Sequence, residues 1–245
     1  MKTNLVKSTV LLSCAAITIT PYAFASEHMA EHVHDHGHDP IIAKVMIDEL
    51  ELNDSADQKS LKAQAWVGKD LNKFWVKANA TQKNGTTEEA EIQYLFSHGF
   101  ASYWDWQVGV RQDIEPGSPY HWGVIGIQGL APYFFEVDAA IFIGESGDTA
   151  GRFSVSYDLA FTQKLFLEPE VEVNVFGQAN PSLGIGSGLS DLNASLRLRY
   201  ELRREFSPYI GVEYSRKFGS TADYTLAKNE KISETEWVFG IRAWF

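Results

Sequence analysis

The chain has 245 residues, and its 32 acidic side chains outnumber its 21 lysines and arginines, which gives a formal net charge of −11. This length suits one domain, and the acidic balance argues against nucleic acid as a partner, because its phosphates would be repelled. The chain contains one cysteine, Cys14, which excludes an intramolecular disulfide and any site built from several thiolates.

The amino terminus has the organisation of a secretory signal peptide. Two lysines precede an apolar run from Val10 to Ile19, and Ala23-Phe24-Ala25 supplies the small residues of a cleavage site. We predict that residues 1–25 are removed and that the mature chain begins at Ser26. A weak match to a lipoprotein cleavage box before Cys14 is the alternative. No later stretch is apolar for the roughly 20 residues that a transmembrane helix needs.

Residues 26–41 are polar and rich in histidine, and they show neither helical nor strand periodicity. Because this segment has few apolar side chains to bury, burial cannot offset the conformational entropy that the chain would lose on folding. We therefore predict a disordered tail.

Strand patterns then follow one another to the end of the chain. In Gly151 to Phe161 and in Leu189 to Leu202, apolar residues alternate with polar or charged ones, as they do on a strand whose two faces meet different surroundings. Twelve strands are predicted, at residues 42–52, 61–69, 72–82, 87–97, 102–113, 120–130, 133–144, 151–162, 165–176, 189–203, 207–218 and 233–245.

Long strands with one apolar and one charged face are typical of a transmembrane β-barrel. The sequence therefore predicts an all-β fold, an antiparallel transmembrane β-barrel over residues 42–245, with twelve strands as the best count and about 10 to 14 as the range. A closed barrel crosses lipid with all its backbone groups paired, and the predicted location is the bilayer of the Gram-negative outer membrane. The terminal Phe245 resembles the signal read by the assembly machinery of that membrane.

The predicted connections alternate between short ones, such as 163–164, and mostly longer ones, such as 177–188 and 219–232. The tight turn Asn84-Gly85 is an exception on the longer side. Outer-membrane barrels have short periplasmic turns and longer outside loops. Twelve strands then place both ends of the barrel, and with them the tail, in the periplasm.

The alternation also predicts the inner face. Turning charges inward avoids the roughly 2–4 kcal/mol that Arg or Lys costs at the middle of a bilayer. Two interpretations stay open, namely that the inner charges brace a narrow barrel or that they line a path for a cation or another substrate. The charged candidates are Lys77, Arg111, Asp113, Glu136, Asp138, Glu168, Glu170, Glu172, Arg197, Arg199, Glu201 and Glu213.

Aromatic residues near the strand ends predict two girdles at the membrane interfaces. The candidates are Trp66, Phe74, Trp75, Tyr103, Trp104, Tyr120, Trp122, Tyr133, Phe134, Tyr209, Trp237 and Trp244.

Five of the seven histidines lie in the tail, with a methionine among them. Imidazole is the commonest protein ligand of transition metals, and imidazole beside thioether favours a copper ion over zinc or nickel. A merely polar tail is the alternative. His98 and His121 are isolated, and we assign them to the girdle or to loops. The predicted metal ligands are His28, Met29, His32, His34, His36 and His38.

Cleavage after Ala25 would create a second kind of metal site. In Ser26-Glu27-His28 the free amine, two backbone amides and the imidazole could offer four nitrogens in one plane, an arrangement that suits Cu(II) or Ni(II). We state this as a hypothesis.

The barrel residues resemble a known family. The similarity rests on ordered runs that include 105–111, 126–133, 184–191 and 203–206, where the chain has DWQVGVR, GIQGLAPY, GIGSGLSD and RREF, and it extends through Pro208 to Gly219. These runs are similar to the copper resistance protein B family of bacterial outer-membrane proteins. The resemblance implies a copper-binding barrel that acts with a periplasmic multicopper oxidase. Members often carry a longer region rich in methionine and histidine, whereas this tail has Met29 alone, which favours imidazole ligation.

The sequence thus predicts a copper-binding outer-membrane protein, not an enzyme, that captures periplasmic copper and sequesters or exports it. Two alternatives remain. A phospholipase-like barrel would need a Ser–His pair on its wall, and a passive structural barrel would make the tail incidental.

Overall fold

The computed structural model of the protein describes residues 39–245, except residues 55, 56, 116, 118 and 182. The predicted signal peptide and nearly all of the predicted disordered tail therefore lie outside the described residues. Within the described part the strands are β1 Ile42–Asn53, β2 Gln58–Gly68, β3 Asn72–Lys83, β4 Thr86–Ala101, β5 Trp104–Glu115, β6 Tyr120–Ala131, β7 Phe135–Gly144, β8 Thr149–Ser156, β9 Leu159–Ala160, β10 Leu165–Phe176, β11 Gly188–Tyr200, β12 Phe206–Lys217 and β13 Ser233–Trp244.

These strands form one antiparallel sheet that closes on itself. Apart from β8 and β9, strands that are consecutive in sequence pair with one another, and β13 pairs with β1. Because β8 and β9 both pair with β10, they are two parts of one strand of the wall, which therefore has twelve strands. At the seam, Val45 and Phe245 exchange backbone hydrogen bonds of 3.0 and 2.8 Å. The predicted twelve-stranded antiparallel barrel is confirmed.

The wall strand predicted over residues 151–162 is interrupted between β8 and β9. Pro169 of β10 lies opposite Tyr157 at this point, where Tyr157 N donates to Pro169 O at 3.1 Å. Proline has no N–H to return the bond, so the ladder fails for two residues. The register is the same on both sides of the break.

The connections alternate in length, as predicted. One end of the barrel, the short-turn end, carries the turns 69–71, 102–103, 132–134, 161–164 and 201–205. The other, the long-loop end, carries the segments 54–57, 84–85, 116–119, 145–148, 177–187 and 218–232. The last of these contains a helix that the sequence pattern did not predict, α1 Gly219–Ala227. None of the helices in the described residues has the length and apolar character needed to cross a bilayer.

The outer surface of the wall is a belt of apolar side chains. Exposed fractions reach 55% for Val110, 59% for Ile125 and 61% for Ile141. A belt of this extent is out of place in water and is what the hydrocarbon of a bilayer requires. The exposed residues of this belt include Tyr94, Phe96, Trp106, Val108, Val110, Ile141, Ile143, Val171, Val175 and Ile210.

Part of the lumen is filled with apolar side chains. Trp75, Leu95, Val124 and Phe142 form a buried cluster on the inner faces of β3, β4, β6 and β7. Sharing the lumen with charged groups, these side chains keep the barrel interior packed instead of hollow.

The girdle prediction is wrong for three residues, which face inward. Trp75 and Tyr209 are 6% and 7% exposed, because both occupy inward positions of their strands. Trp122 also turns inward, since its Nε1 donates to Asp113 Oδ2 at 2.8 Å. Other girdle candidates are exposed, among them Phe74, Tyr103, Tyr133, Phe134, Trp237 and Trp244.

Candidate functional site: the histidine-rich segment and the charged lumen

The predicted metal ligands His28, Met29, His32, His34, His36 and His38 lie outside the described residues. The residue that follows them, Asp39, lies at the short-turn end. Its Oδ1 accepts a hydrogen bond of 3.1 Å from the backbone N–H of Asp70, and its Oδ2 is 4.0 Å from Lys69 Nζ. The chain therefore enters the barrel beside the turn between β2 and β3.

The two histidines of the barrel have local partners. Nδ1 of His98 lies 2.8 Å from Oδ1 of Asn72, and its ring packs against Trp106 with centroids 5.8 Å apart. His121 Nδ1 lies 3.4 Å from Glu145 Oε2 at an exposed position. In the described part of the chain neither imidazole is hydrogen-bonded to a serine hydroxyl, which is the pairing that a hydrolytic site would need.

Within the described ranges, no three or more His, Cys, Asp or Glu side chains are grouped so that they could hold a metal ion. The lumen is nonetheless rich in carboxylates, and most of these lie against lysine or arginine. Three clusters account for the main contacts.

The first, the Arg197 cluster, begins with a β-bulge. The pairing of β1 with both neighbours shifts between Ile47 and Leu50, and the extra residue lets Asp48 and Glu49, adjacent in sequence, both turn inward. The cluster consists of Arg197 with Lys62, Glu49, Glu51 and Glu170.

In this cluster Arg197 contacts three carboxylates. Its Nη2 is 3.1 Å from Glu49, its Nε is 2.8 Å from Glu51 and its Nη1 is 2.8 Å from Glu170. Tyr209 donates its hydroxyl to Glu51 at 2.9 Å. Each of the three guanidinium nitrogens thus faces a carboxylate, which compensates the buried positive charge.

Lys62 extends the cluster across the barrel. Its Nζ lies 2.9 Å from Glu170 and 3.5 Å from Glu49. Lys62 is on β2 and Glu170 is on β10, which are five strands apart around the twelve-stranded wall. These two side chains therefore meet from nearly opposite walls.

The second, the Glu91 cluster, consists of Glu91, Arg111, Arg152, Asp113 and Glu172. Glu91 accepts from Arg152 at 2.7 Å and lies 2.8 Å from Arg111. The guanidinium groups also lie over the ring of Phe142, at 4.8 Å for Arg111 and 5.7 Å for Arg152. Charged and apolar parts of the lumen are thus in direct contact.

The third, the Lys77 cluster, contains one ion pair and two amides. Lys77 Nζ is 2.7 Å from Asp138, 3.2 Å from Gln107 and 3.0 Å from Gln128. Near the short-turn end, Arg242 makes a further cross-strand pair with Glu168 at 3.1 Å. Arg199 on β11 lies 2.8 Å from Asp158.

A polar cavity of about 110 Å³ lies among the three clusters. Lys62, Lys77 and Arg152 each contribute to its wall, together with Asp48, Asp138 and Glu172. Every one of these basic groups is bonded to a carboxylate. The cavity is therefore bounded by charges that already have partners.

The sequence pattern predicted part of this network. Lys77, Arg111, Asp138, Glu170 and Arg197 face inward as expected and lie in the clusters. The predicted set did not include Lys62, Glu49, Glu51, Glu91 and Arg152. Glu49 was missed because it follows Asp48 directly and a strict alternation cannot place both inside. The signal was present in the shift of the apolar positions from Val45 and Ile47 to Leu50 and Leu52.

Comparison with known proteins identifies the family. The family model described as "Copper resistance protein B precursor (CopB)" matches residues 41–245. The chain is 40% identical to a copper resistance protein B homolog of Pseudomonas syringae pv. tomato (strain ATCC BAA-871 / DC3000), over 91% of this chain and 76% of the relative.

It is also 40% identical to the copper resistance protein B of Escherichia coli, over 82% of this chain and 69% of that protein. Among solved structures, the NanC porin matches 82% of this chain and 99% of its own, with a TM-score of 0.54 and 10% identity, which is a likeness of fold. This outer-membrane barrel belongs to the copper resistance protein B family.

Proposed function

We propose that this protein binds copper at the outer membrane and contributes to copper resistance by capturing the ion on the periplasmic side. The observation that carries the proposal is the position of the donors. Five histidines within eleven residues immediately precede Asp39, whose carboxylate is bonded at the short-turn end of the barrel. In outer-membrane barrels that end faces the periplasm.

The donor types favour copper. Neutral imidazole binds the divalent ions of the first transition row, and copper heads their affinity order. The ligands proposed are His28, Met29, His32, His34, His36 and His38.

Cleavage of the signal after Ala25 would add the planar four-nitrogen site of Ser26-Glu27-His28, which suits Cu(II). With Met29 as the single thioether in the tail, the proposed capture depends on imidazole and backbone nitrogen.

The barrel serves in this proposal as the anchor that holds the ligands at the membrane. Its lumen charges are committed to one another, as the contacts of Arg197 illustrate. Copper held at the short-turn end would be within reach of soluble periplasmic proteins, and we propose a multicopper oxidase as the partner that receives or oxidises it.

The proposal is tested by complementation. A strain that lacks its copper resistance protein B is given the full chain, or a variant with alanine in place of His28, His32, His34, His36 and His38. The matched control carries alanine in place of His98 and His121, which have local partners on the barrel.

We expect the full chain and the control to restore growth in copper and the five-alanine variant to fail, with equal amounts of each barrel in the outer membrane. Full tolerance with the five-alanine variant would refute capture by the tail. A lipase assay on the same membranes tests the enzymatic alternative.

A further inference from the structure

The side chains of this barrel occupy the space through which an ion would have to travel. Lys62 and Glu170 touch at 2.9 Å from strands that are five apart around the wall. Arg152 on β8 and Glu91 on β4 touch at 2.7 Å from strands four apart. Lys77 on β3 and Asp138 on β7, also four apart, meet at 2.7 Å.

These contacts lie in different sectors of the lumen. The Arg197 cluster joins β1, β2, β10 and β11, whereas the Glu91 cluster joins β4, β5, β8 and β10. The sector between β3 and β7 contains the apolar cluster of Trp75, Leu95, Val124 and Phe142. Each of these sectors is therefore crossed by charged pairs or occupied by packed apolar side chains.

The polar cavity among the three clusters is small. At about 110 Å³ it has room for several water molecules. The basic groups on its wall are not free to bind an anion, because Lys62, Lys77 and Arg152 each hold a carboxylate there.

The long-loop end is crossed by a segment of the chain. Leu183, in the connection between β10 and β11, lies beside Gly117. A Cβ atom built on Gly117 would be 3.9 Å from Cδ2 of Leu183. The next residue, Gly184, lies beside Lys228. A Cβ atom built on Gly184 would be 3.2 Å from Nζ of Lys228.

Gly117 belongs to the connection between β5 and β6, and Lys228 belongs to the connection between β12 and β13. These two connections lie on opposite sides of the wall. The segment 177–187 therefore spans the mouth from one side to the other.

We propose that the lumen is sealed, so that the barrel retains copper on its short-turn side and does not conduct it to the outside. The seal is made by the cross-barrel ion pairs, the apolar cluster and segment 177–187. The sealing itself is independent of copper binding, whereas the retention of copper rests on the proposed function.

The first test is the conductance of the wild-type protein in a planar bilayer with potassium chloride on both sides. We expect it to be at least about tenfold below that of an open barrel of the same strand number, whose lumen would hold an aqueous path. Stable porin-like channels would overturn the seal, whether or not the tail binds copper.

The second test uses a single introduced thiol in a Cys14→Ser background, since Cys14 is the only cysteine of the chain. Ser154→Cys places the thiol on the wall of the cavity, and Ser146→Cys places it on an exposed loop as the matched control. A charged, membrane-impermeant thiol reagent is added to the folded protein.

We expect the thiol at position 154 to react at least about a hundredfold more slowly than the thiol at 146, because the reagent must pass packed side chains to reach it. Similar rates would show that solute enters the lumen freely and would overturn the proposal. Loss of copper binding by the tail changes neither rate, so the two proposals fail separately.

Discussion

Arg197 on β11 donates from Nε to Oε1 of Glu51 on β1 at 2.8 Å, and the two side chains are 7% and 3% exposed. Between these strands in the wall lie β12 and β13. The pair thus reaches across the seam where the last strand meets the first, and it ties the closure of the barrel to the charge network of the lumen.

Replacement of Arg197 by methionine should destabilise the barrel strongly. It would leave Glu49, Glu51 and Glu170 without this cation in a poorly hydrated interior, and loss of one partner from a buried ion pair costs about 3–5 kcal/mol. The measurement is the free energy of unfolding in urea with the protein in lipid vesicles. Arg216→Met is the matched control, because Arg216 is exposed on the outer face, and it should change stability by less than about 1 kcal/mol. Equal effects of both substitutions would contradict the structural importance of the cluster.

A charged substitution on the outer belt should destabilise the barrel more in the middle of the membrane than near its interface. Ile141→Arg, at a position 61% exposed in the middle of β7, is expected to cost about 2–4 kcal/mol, since it lies in the hydrocarbon. Leu202→Arg, at the short-turn end, should cost no more than about 1 kcal/mol because the side chain is near the interface. Vesicle unfolding experiments compare the two, and a smaller cost at 141 than at 202 would be inconsistent with the proposed membrane position.

Phe245 should contribute to the assembly of the barrel through its backbone as well as its ring. Its N–H donates to Val45 O at 2.8 Å and its carbonyl accepts from Val45 N at 3.0 Å. Deletion of Phe245 removes both bonds, whereas Phe245→Ala keeps them and removes only the ring. We expect the deletion to reduce the folded, heat-modifiable barrel in the outer membrane more than the alanine variant does. An equal reduction would assign the whole effect to the aromatic ring, as expected of an assembly signal.

His28→Ala should weaken Cu(II) binding by at least about tenfold, or about 1.4 kcal/mol, if Ser26 is the mature amino terminus and the imidazole completes a planar site. Competition with a chromophoric chelator measures the affinity. Acetylation of the terminal amine should produce a comparable loss, and His121→Ala should produce none.

The pH dependence of this site has a definite sign. Imidazole and amide nitrogen bind copper only when deprotonated, so affinity should fall as pH drops below about 6.5. An affinity that is unchanged by His28→Ala would rule out the site.

The twelve strands and their facing could be predicted because alternation with period two survives along most of the wall. The prediction failed where a local feature interrupts this alternation. The bulge at Asp48 and Glu49 turns two adjacent acids inward, and Pro169 interrupts the strand opposite it.

Other features depend on contacts that have no local signature. The carboxylate partners of Arg197 come from two strands, β1 and β10, and Glu51 is 146 residues away in sequence, so the pattern could place each charge inside without pairing them. Trp75 and Tyr209 resembled girdle residues by type and by position along the strand. Both are buried in the lumen, because they occupy positions of the alternation that face inward. The helix α1 lacks a clear apolar stripe, and the segment around it could be predicted only as a long connection.

The central claim is that the histidines before Asp39 hold copper. Its most direct test is the copper retained per barrel after the purified full chain is loaded with Cu(II) and dialysed against a weak chelator. The five-alanine variant of His28, His32, His34, His36 and His38 is treated in the same way. The account predicts about one or more ions per barrel for the full chain and almost none for the variant. Equal copper content in the two proteins would contradict it.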